Sequence, residues 1–202
     1  CMEACKFDAL VPTDLYFEHR ERVQALAHEQ TKLSAGHGLC SGCGASVIVN
    51  QVLSQVDSHY VVSGATGCLE VFSTPWPQSA WRVPWIHSLF ENSAAVASGM
   101  ESAMKAQGKN TKVLSFGGDG GTYDIGFQAL SGMLERHHNV LYVTYDNEAY
   151  MNTGIQRSSS TPHAATTTTS PAGKERMGKR HLKKDLLSII AAHHIPYTAS
   201  AS

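Results

Sequence analysis

Short apolar runs alternate with stretches of helical periodicity over most of this chain of 202 residues. Apolar runs of strand length that end in glycine or polar turn residues are typical of buried strands. Apolar residues spaced three and four apart are typical of helices that pack one face against a sheet. We therefore predict strands over 60–63 and in the runs KVLSFGG, NVLYVTY and IPYTAS. Helices are predicted over 44–56, 123–136 and 185–194, and a further helix is predicted to begin at the cap signal of Asn92 and Ser93.

The order of these elements predicts the fold class, which is α/β with a doubly wound, mostly parallel sheet. Alternating strands and helices imply parallel strands joined by right-handed crossovers. The strands are almost continuously apolar, as expected for a sheet that is covered on both faces. The proline- and tryptophan-rich segment 72–88 and the segment 153–184 are predicted as loops.

The carboxyl ends of the predicted strands carry the most unusual residues of the chain. In doubly wound sheets, ligands bind beyond those ends. The sequence has GATGC, FGGDGG and YDNEAYMNTG at these positions. We therefore expect the functional site at this edge of the sheet.

The amino-acid composition limits the kinds of binding partner and the cellular compartment that we expect for this protein. Apolar residues make up 42% of the chain and charged residues 16%, so we expect partners to cover part of a lightly charged surface. The net charge of −1 gives no electrostatic case for nucleic-acid binding. No apolar run approaches the roughly 20 residues of a membrane span, so none is expected. Five cysteines, an odd number, argue against a secreted disulfide framework and favour a reducing cytoplasm.

The chain divides into two parts. Residues 1–35 are polar and contain a predicted surface helix over 14–33, whereas residues 36–202 hold the predicted α/β domain. The chain begins with Cys1 rather than methionine and ends inside a predicted strand. We therefore expect both ends to belong to a longer protein, with the domain truncated at its C-terminus.

A glycine-rich segment with one carboxylate, Gly117 to Gly121, connects a predicted strand to a predicted helix. Glycines let the backbone approach a ligand, and the positive end of a helix suits phosphate. An acidic residue beside bound phosphate needs a metal between them, and Mg²⁺ binds carboxylates together with phosphates. The segment matches neither the P-loop nor the dinucleotide motif, because Tyr123 stands where the third glycine would be. A glycine-rich turn with a solvent-facing Asp119 is the alternative.

Asn147 follows Asp119 by 28 residues, which is the length of one helix plus one strand in a doubly wound sheet. This spacing brings Asn147 beside Asp119 at the same edge. A carboxylate, an amide oxygen and a backbone carbonyl form a set of hard oxygen ligands for Mg²⁺.

Three cysteines belong to the same region of the predicted fold. Cys40 and Cys43 form a C-x-x-C motif, and Cys68 follows the first strand. The motif alone is compatible with structural or redox thiols. A zinc site would need a fourth ligand, for which His37 is available, and an iron–sulfur cluster would need four thiolates. These alternatives stay open on the spacing alone.

Gly-Asp-Gly followed after roughly 25–30 residues by asparagine resembles the diphosphate–Mg²⁺ motif of thiamine-diphosphate enzymes. The resemblance implies that Asp119 and Asn147 bind Mg²⁺ through their side chains and Ala149 through its carbonyl. It also implies that thiamine diphosphate is bordered by the residues that follow each strand. The expected cofactor-binding residues are Gly118, Asp119, Gly120, Asn152, Thr153, Thr66, Gly67 and Val71. For the last three, a turn or core role is the alternative.

The combination of C-x-x-C-G, A-T-G-C and G-D-G resembles the thiamine-binding β subunit of 2-oxoacid:ferredoxin oxidoreductases, in the pyruvate branch, over residues 36–202. The resemblance implies a thiamine-diphosphate-binding fold and a [4Fe–4S] cluster close to the cofactor. Cys40, Cys43 and Cys68 match three of the four cluster ligands, and the fourth is expected beyond the end of this chain. Cys5 is the alternative, because the segment around it faintly resembles the end of a ferredoxin cluster motif.

The resemblance also implies an enzyme subunit that is active only with its partners. The expected reaction is oxidative decarboxylation of pyruvate with coenzyme A to acetyl-CoA and CO₂, or its reverse, with electrons passing to ferredoxin. The activating glutamate is expected on a partner pyrimidine-binding subunit, so no catalytic residue is assigned in this chain. The alternatives are a subunit for another 2-oxoacid, a thiamine-dependent decarboxylase without clusters, and an iron–sulfur or metal-binding electron-transfer module without thiamine.

Other charged and polar groups give weaker signals. The basic segment 174–184 is either a solvated loop or a docking site for an acidic ferredoxin through Lys179 and Arg180. Glu70 and Glu91 are interpreted as structural or interface groups, with the role of activating glutamate as the alternative. His87 is interpreted as a loop histidine, with a position facing the substrate as the alternative.

Overall fold

The computed structural model describes residues 31–56, 59–75 and 77–202. Most of the predicted surface helix over 14–33 lies outside these residues, as do Cys1 and Cys5. The described elements alternate as expected of a parallel α/β fold. They are α1 (Gly44–Ser54), β1 (Tyr60–Ala65), α2 (Cys68–Ser73), β2 (Trp85–Ser88), α3 (Ser93–Ala106), β3 (Lys112–Gly118), a π-helix (Gly120–Ile125), α4 (Phe127–Glu135), β4 (Val140–Tyr145) and α5 (Leu186–Ala191).

The four strands of the described sheet are parallel, and their spatial order is β2-β1-β3-β4. From β1 the chain moves outward to β2, then crosses back over β1 to β3 and β4. The direction of winding therefore reverses between β1 and β3, which is the switch point where such sheets bind ligands. Ser63 of β1 lies beside Ser115 of β3 and donates a buried hydrogen bond of 2.9 Å to its hydroxyl oxygen. This bond joins the two strands that flank the switch point.

Helices cover both faces of the sheet, which confirms the predicted doubly wound α/β fold. Successive residues of a strand point to opposite faces. Leu114 of β3 therefore packs in one core with Val49 of α1. Its neighbour Val113 packs in the other core with Ala97 of α3 and Leu130 of α4.

Three predictions about elements were wrong. The segment 72–88, predicted as a loop, contains β2, which escapes the pattern because it is a four-residue edge strand that follows a proline. The turn predicted at Cys68 is the start of α2. The strand predicted in IPYTAS is absent, since residues 196–202 are exposed and pair with no strand of the described sheet. A strand needs a neighbour for its backbone hydrogen bonds.

The helix predicted over 123–136 is two helices. A π-helix begins directly after Asp119, and α4 follows it after Gly126. The Gly126 N–H donates to the carbonyl of Gly121 at 2.7 Å, which is the wide turn of a π-helix. Single π-turns within helices occur frequently at functional sites. In the part of the chain that the structure describes, no helix combines the length and apolar character needed to cross a membrane.

The segment 153–184 contains neither helix nor strand, as predicted, but part of it is buried. The side chain of Lys179 is only 1% exposed, and its ammonium group donates to the carbonyls of Ser159, at 2.9 Å, and Thr161. A buried lysine cannot contact a partner, so the docking role considered for Lys179 is wrong. Arg180 is exposed.

Candidate functional site

A cavity of roughly 180 Å³ opens at the carboxyl edge of the sheet, at the switch point between β1 and β3. The segments that follow β1, β3 and β4 form most of its walls. The three segments singled out in the sequence, GATGC, FGGDGG and YDNEAYMNTG, therefore line one cavity. The residues that line the cavity are Thr66, Gly67, Cys68, Phe90, Gly118, Asp119, Gly120, Tyr145, Asn147, Ala149, Tyr150, Met151, Asn152 and Thr153.

Asp119 is the buried carboxylate of this cavity, with 2% of the residue exposed. Its Oδ2 accepts a hydrogen bond of 2.5 Å from the Ser158 hydroxyl. Burial raises the pKa of Asp119 to about 6, and the negative charge of Asp146 adds to the rise, although the bond from Ser158 opposes it. The alternative of a solvent-facing Asp119 is therefore wrong. A buried carboxylate of this kind favours binding of a cation.

The carboxamide of Asn147 adjoins Oδ1, the other carboxylate oxygen of Asp119. One end of the amide lies 2.9 Å from Asp119 Oδ1 and 2.9 Å from the carbonyl oxygen of Ala149. With its nitrogen at this end, the amide donates to both atoms; with its oxygen there, it adds a third oxygen to the pair. Adjacent ligands of an octahedral Mg²⁺, bound at about 2.0–2.1 Å, are separated by about 2.9 Å. With the amide oxygen at this end, the two distances from Asn147 therefore fit the spacing of adjacent Mg²⁺ ligands.

Three consecutive serines hold the carboxylates around the cavity. Each serine hydroxyl donates to a different aspartate, and each of these aspartates follows or lies near the end of β3 or β4. Asp146 and Asp124 also lie 2.7 Å and 3.7 Å from the ammonium groups of Lys183 and Lys184, whereas the structure gives Asp119 no ion pair with a basic side chain among the described residues. Ser158 donates to Asp119, Ser159 to Asp124 and Ser160 to Asp146.

The three predicted cluster ligands are free thiols, of which Cys40 is exposed and Cys43 and Cys68 are partly buried. The Cys43 N–H donates to the carbonyl of Cys40 at 3.0 Å in a turn that precedes α1. Burial raises the pKa of Cys68, and negative charge on Cys43 and Cys40 raises it further. Over residues 31–56, 59–75 and 77–202, no group of three His, Cys, Asp or Glu side chains is arranged to hold one metal ion. The [4Fe–4S] cluster therefore stays a prediction.

Glycines at the end of β3 let aromatic rings close the cavity. A Cβ atom on Gly120 would overlap the ring of Tyr150. One on Gly118 would lie 3.2 Å from the ring of Tyr145. Tyr150 is held in place by a hydrogen bond of 2.7 Å to Asp124 and by contact with Phe90, whose ring centroid is 5.9 Å away.

Thr66 connects the cavity wall to β2. Its hydroxyl donates to the carbonyl of Ser88 at 3.1 Å and lies 2.7 Å from His87 Nε2. The other ring nitrogen of His87 lies 3.6 Å from a carboxylate oxygen of Glu70. His87 is thus part of a hydrogen-bonded array on a strand, and not in a loop as expected.

Most of the residues singled out in the sequence line the cavity, but Cys40, Cys43 and Val71 do not. Val71 lies on α2 and is 38% exposed. Tyr150 and Met151 were missed although they stand in the segment YDNEAYMNTG. Phe90, Tyr145 and Ser158 were also missed, and a run of three serines was the only available signal for Ser158.

The sequence-family model of the C-terminal TPP-binding domain of thiamine pyrophosphate enzymes matches residues 65–202, which is more than half of the chain. The chain belongs to this family of thiamine pyrophosphate enzymes. The matched region contains Asp119, Asn147 and Ala149, the three groups whose spacing fits Mg²⁺.

Relatives named pyruvate synthase subunit PorB are similar over most of the chain. The protein from Methanothermobacter thermautotrophicus is 58% identical over 175 residues, 86% of this chain and 61% of its own length. The one from Thermotoga maritima is 50% identical over 195 residues, which cover 91% of this chain and 60% of its own length. The ketoisovalerate oxidoreductase subunit VorB from Pyrococcus abyssi is 49% identical over 174 residues, with coverages of 83% and 56%. The predicted resemblance to the pyruvate branch is therefore confirmed, and the chain spans about three fifths of the length of these relatives.

A solved structure supports the fold. The 2-oxoglutarate:ferredoxin oxidoreductase from Magnetococcus marinus, with 2-oxoglutarate, coenzyme A and succinyl-CoA bound, is similar with a TM-score of 0.66 and 24% sequence identity. The similarity covers 81% of this chain and 53% of that chain. The predicted thiamine-diphosphate-binding fold is confirmed.

Proposed function

We propose that this chain is the thiamine-diphosphate- and [4Fe–4S]-binding subunit of a 2-oxoacid:ferredoxin oxidoreductase that acts on pyruvate. The proposed reaction converts pyruvate, coenzyme A and two oxidised ferredoxins into acetyl-CoA, CO₂, a proton and two reduced ferredoxins, or runs in reverse. The proposal is carried by three groups that lie together in one cavity. The Asn147 amide is 2.9 Å from Asp119 Oδ1 and 2.9 Å from the Ala149 carbonyl oxygen, and Cys68 lines the same cavity. A protein that only transfers electrons through cysteine-bound iron does not need this group of oxygen ligands.

The residues of the cavity have distinct proposed roles toward the cofactor. Asp119, Asn147 and Ala149 would hold the Mg²⁺ that binds the diphosphate, while Ser158 keeps the carboxylate of Asp119 oriented. The glycines beside Asp119 and the segment after β4, including Asn152 and Thr153, would border the cofactor. When bound, thiamine diphosphate supplies the electron sink for decarboxylation.

The proposed redox centre lies at the same edge of the sheet. Cys40, Cys43 and Cys68 would supply three of the four thiolates that such a cluster needs. A cluster accepts electrons one at a time, which suits transfer to ferredoxin. The proposed partners are the pyrimidine-binding subunit with its activating glutamate, the other subunits of the complex and ferredoxin, in the cytoplasm.

Pyruvate is the favoured substrate because the names of the relatives at 50–58% identity include pyruvate synthase. The relative at 49% is named for ketoisovalerate, so that acid is the second candidate. Initial rates of ferredoxin reduction with pyruvate and with 2-oxoisovalerate, measured on the same preparation, distinguish the two. A higher kcat/KM for the branched acid would overturn the choice of pyruvate.

The cofactor assignment is tested with Asp119→Ala in the complete complex, purified anaerobically with its natural partner subunits. We expect Mg²⁺-dependent binding of thiamine diphosphate to be lost while iron and sulfide content stays unchanged. Glu135→Ala, an exposed acidic position at the end of α4, is the control and should bind the cofactor normally. Normal binding in Asp119→Ala would contradict the proposal. A colourless complex without iron would instead favour a decarboxylase that has no cluster.

A further inference from the structure

Tyr145, the last residue of β4, places a hydroxyl group in the wall of the cavity. Only 5% of the residue is exposed. A Cβ atom on Gly67, which follows β1, would lie 2.8 Å from the hydroxyl oxygen, and one on Gly118, at the end of β3, would lie 3.2 Å from it. Both glycines line the cavity. The hydroxyl therefore lies at the switch point between β1 and β3, beside the residue that precedes Asp119.

The hydroxyl of Tyr145 accepts a hydrogen bond within the protein, but its own proton has no protein acceptor in the described part of the chain. The backbone N–H of Leu69 donates to the hydroxyl oxygen at 3.4 Å. This N–H lies in the first turn of α2, where backbone donors have no acceptor within the helix. Over residues 31–56, 59–75 and 77–202, the structure gives no hydrogen bond that the hydroxyl itself donates. Because a buried donor without an acceptor is costly, a group that occupies the cavity is expected to accept this proton.

The other hydroxyl groups that line the cavity already donate to oxygens of the protein. Their hydrogen bonds run from Thr66 to the Ser88 carbonyl at 3.1 Å, from Tyr150 to Asp124 at 2.7 Å and from Thr153 to the Tyr150 carbonyl at 3.3 Å. Among the described residues of the cavity wall, Tyr145 therefore has the one hydroxyl proton that is free for a ligand.

The charges around the cavity indicate which ligand group accepts this proton. Asp119 is an acidic residue of the wall, and none of the lining residues that the structure describes is a lysine, arginine or histidine. A diphosphate bound through Mg²⁺ beside Asp119 would therefore meet neutral donors and no basic side chain. Donation to an anionic oxygen is stronger than donation to a neutral one, and a hydroxyl that accepts one hydrogen bond is a better donor.

We propose that the Tyr145 hydroxyl donates a hydrogen bond to an oxygen of the diphosphate, which makes Tyr145 a further cofactor-binding residue of this chain. The inference rests on the proposed function. Gly67 and Gly118 have a matching role, because the absence of their side chains leaves the space that the hydroxyl occupies. Tyr145 thus recognises the anionic end of the cofactor, next to the groups proposed to hold the cation.

The test is Tyr145→Phe, which removes the donor and keeps the ring, in the complete complex purified anaerobically and depleted of cofactor. Calorimetry measures the binding of thiamine diphosphate and of inorganic pyrophosphate, each in the presence of Mg²⁺. We expect the variant to bind both probes more weakly by the same factor, about tenfold or more, because both probes carry the diphosphate oxygens. A loss with thiamine diphosphate alone would place the acceptor on the thiamine part and would overturn the inference. Unchanged affinity for both probes would overturn it as well.

Tyr142→Phe is the matched control, because it removes another tyrosine hydroxyl from β4. Side chains three positions apart on a strand point to opposite faces of the sheet. The Tyr142 hydroxyl accordingly lies away from the cavity, 3.1 Å from the hydroxyls of Ser93 and Thr122. This variant should bind both probes as the wild type does. Equal losses of affinity in the two variants would show that any hydroxyl removed from β4 has this effect, and would overturn the role of Tyr145.

A second substitution covers the case in which Tyr145→Phe does not fold, since that variant leaves the Leu69 N–H without its acceptor. Tyr145→3-fluorotyrosine keeps the ring and the hydroxyl, and its fluorine makes the O–H a stronger donor. It should bind pyrophosphate more tightly than the wild type does, and an unchanged affinity would overturn the inference.

The wild-type complex distinguishes failure of this inference from failure of the proposed function. If it binds neither probe in a Mg²⁺-dependent way, the proposed function is overturned, and the role of Tyr145 with it. If it binds thiamine diphosphate but not pyrophosphate, the diphosphate is not the group recognised by Tyr145, and the inference alone is overturned.

Discussion

The hydroxyl of Ser158 donates to Asp119 Oδ2 at 2.5 Å, on the opposite side of the carboxylate from Asn147. The other oxygen, Oδ1, lies 2.9 Å from the Asn147 amide, which in turn lies 2.9 Å from the Ala149 carbonyl. Ser158 itself is fully buried. The serine therefore orients the carboxylate from a segment that comes 39 residues later in the chain.

Ser158→Ala should weaken Mg²⁺ binding by about 10- to 100-fold, since the carboxylate loses the partner that orients it. It should also lower the free energy of unfolding by about 1–3 kcal/mol, because a buried oxygen is left unsatisfied. Calorimetric titration with Mg²⁺ and thiamine diphosphate, together with urea unfolding, measures both effects. Ser102→Ala, at an exposed position of α3, is the control and should change neither. A loss of stability with unchanged Mg²⁺ affinity would contradict the orienting role.

Gly120→Ala should destabilise the fold by about 1–3 kcal/mol, because the new methyl group would overlap the ring of Tyr150 and force it to shift. Since Tyr150 lines the cavity, binding of thiamine diphosphate should weaken as well. Gly99→Ala is the matched control: a Cβ atom there meets nothing within 4 Å, and the position lies in the middle of α3. Replacing a glycine in a helix should stabilise the fold by about 0.5–1 kcal/mol. Equal unfolding free energies for the two variants would show that Gly120 and Tyr150 do not constrain each other.

The parts of the fold that could be predicted from the sequence are those with a long or periodic apolar signal. The strand β3 is buried over five consecutive residues and therefore has a continuous apolar run, and β4 has a similar run although most of it is only partly buried. The pairing of Asp119 with Asn147 followed from their spacing, since the carboxyl ends of adjacent parallel strands lie side by side. In contrast, β2 has only four residues at the edge of the sheet, and such a strand produces no distinctive pattern.

The parts that could not be predicted depend on contacts between distant segments. Ser158 and Phe90 reach the site from a loop and a turn, where no periodicity marks which side chains point inward. Lys179 was expected at the surface because lysine is almost never fully buried. Its side chain instead lies in the interior of the segment 153–184, where its ammonium group donates hydrogen bonds to two backbone carbonyls. Such a contact has no signature in a single sequence.

Lys179→Ala should lower the free energy of unfolding by about 1–3 kcal/mol, because the carbonyls of Ser159 and Thr161 lose a buried donor. The serines that contact the aspartates lie in the same turn, so binding of Mg²⁺ and thiamine diphosphate should weaken too. Lys174→Ala, an exposed position in the same segment, is the control and should leave unfolding and binding unchanged. If Lys179→Ala unfolded at the same urea concentration as the wild type, the bonds would contribute nothing to the fold.

Arg180→Glu now tests docking of ferredoxin, since Arg180 is exposed and Lys179 is not. If the basic segment binds an acidic ferredoxin, the charge reversal should slow its reduction about threefold or more at low ionic strength, and the difference should shrink in salt. Binding of thiamine diphosphate should be unchanged. Lys109→Glu reverses an exposed charge before β3, at the opposite edge of the sheet, and should not affect the rate. An unchanged rate for Arg180→Glu would remove this segment from the docking surface.

The carboxylate of Asp124 should stabilise the fold in a pH-dependent way. Burial acts to raise its pKa, but hydrogen bonds from Ser159 and from the Tyr150 hydroxyl, with the charge of Lys184, hold the pKa below its ordinary value. Because an aspartate in the unfolded chain has a pKa of about 3.9, the stabilisation is complete above that pH and is lost as the pH falls through the lower pKa of the folded state. Asp124→Asn should therefore cost about 1–2 kcal/mol at pH 7 and much less near pH 3.

Urea unfolding of the wild type and Asp124→Asn at several pH values between about 3 and 7 measures this dependence. Glu135→Gln replaces an exposed carboxylate that lies on α4, away from the cavity, and should give a small difference at every pH. A cost for Asp124→Asn that stays constant down to pH 3 would mean that Asp124 acts through its shape and not through its charge. In that case the pair formed by Tyr150 and Asp124 would hold the cavity wall equally well with an amide at position 124.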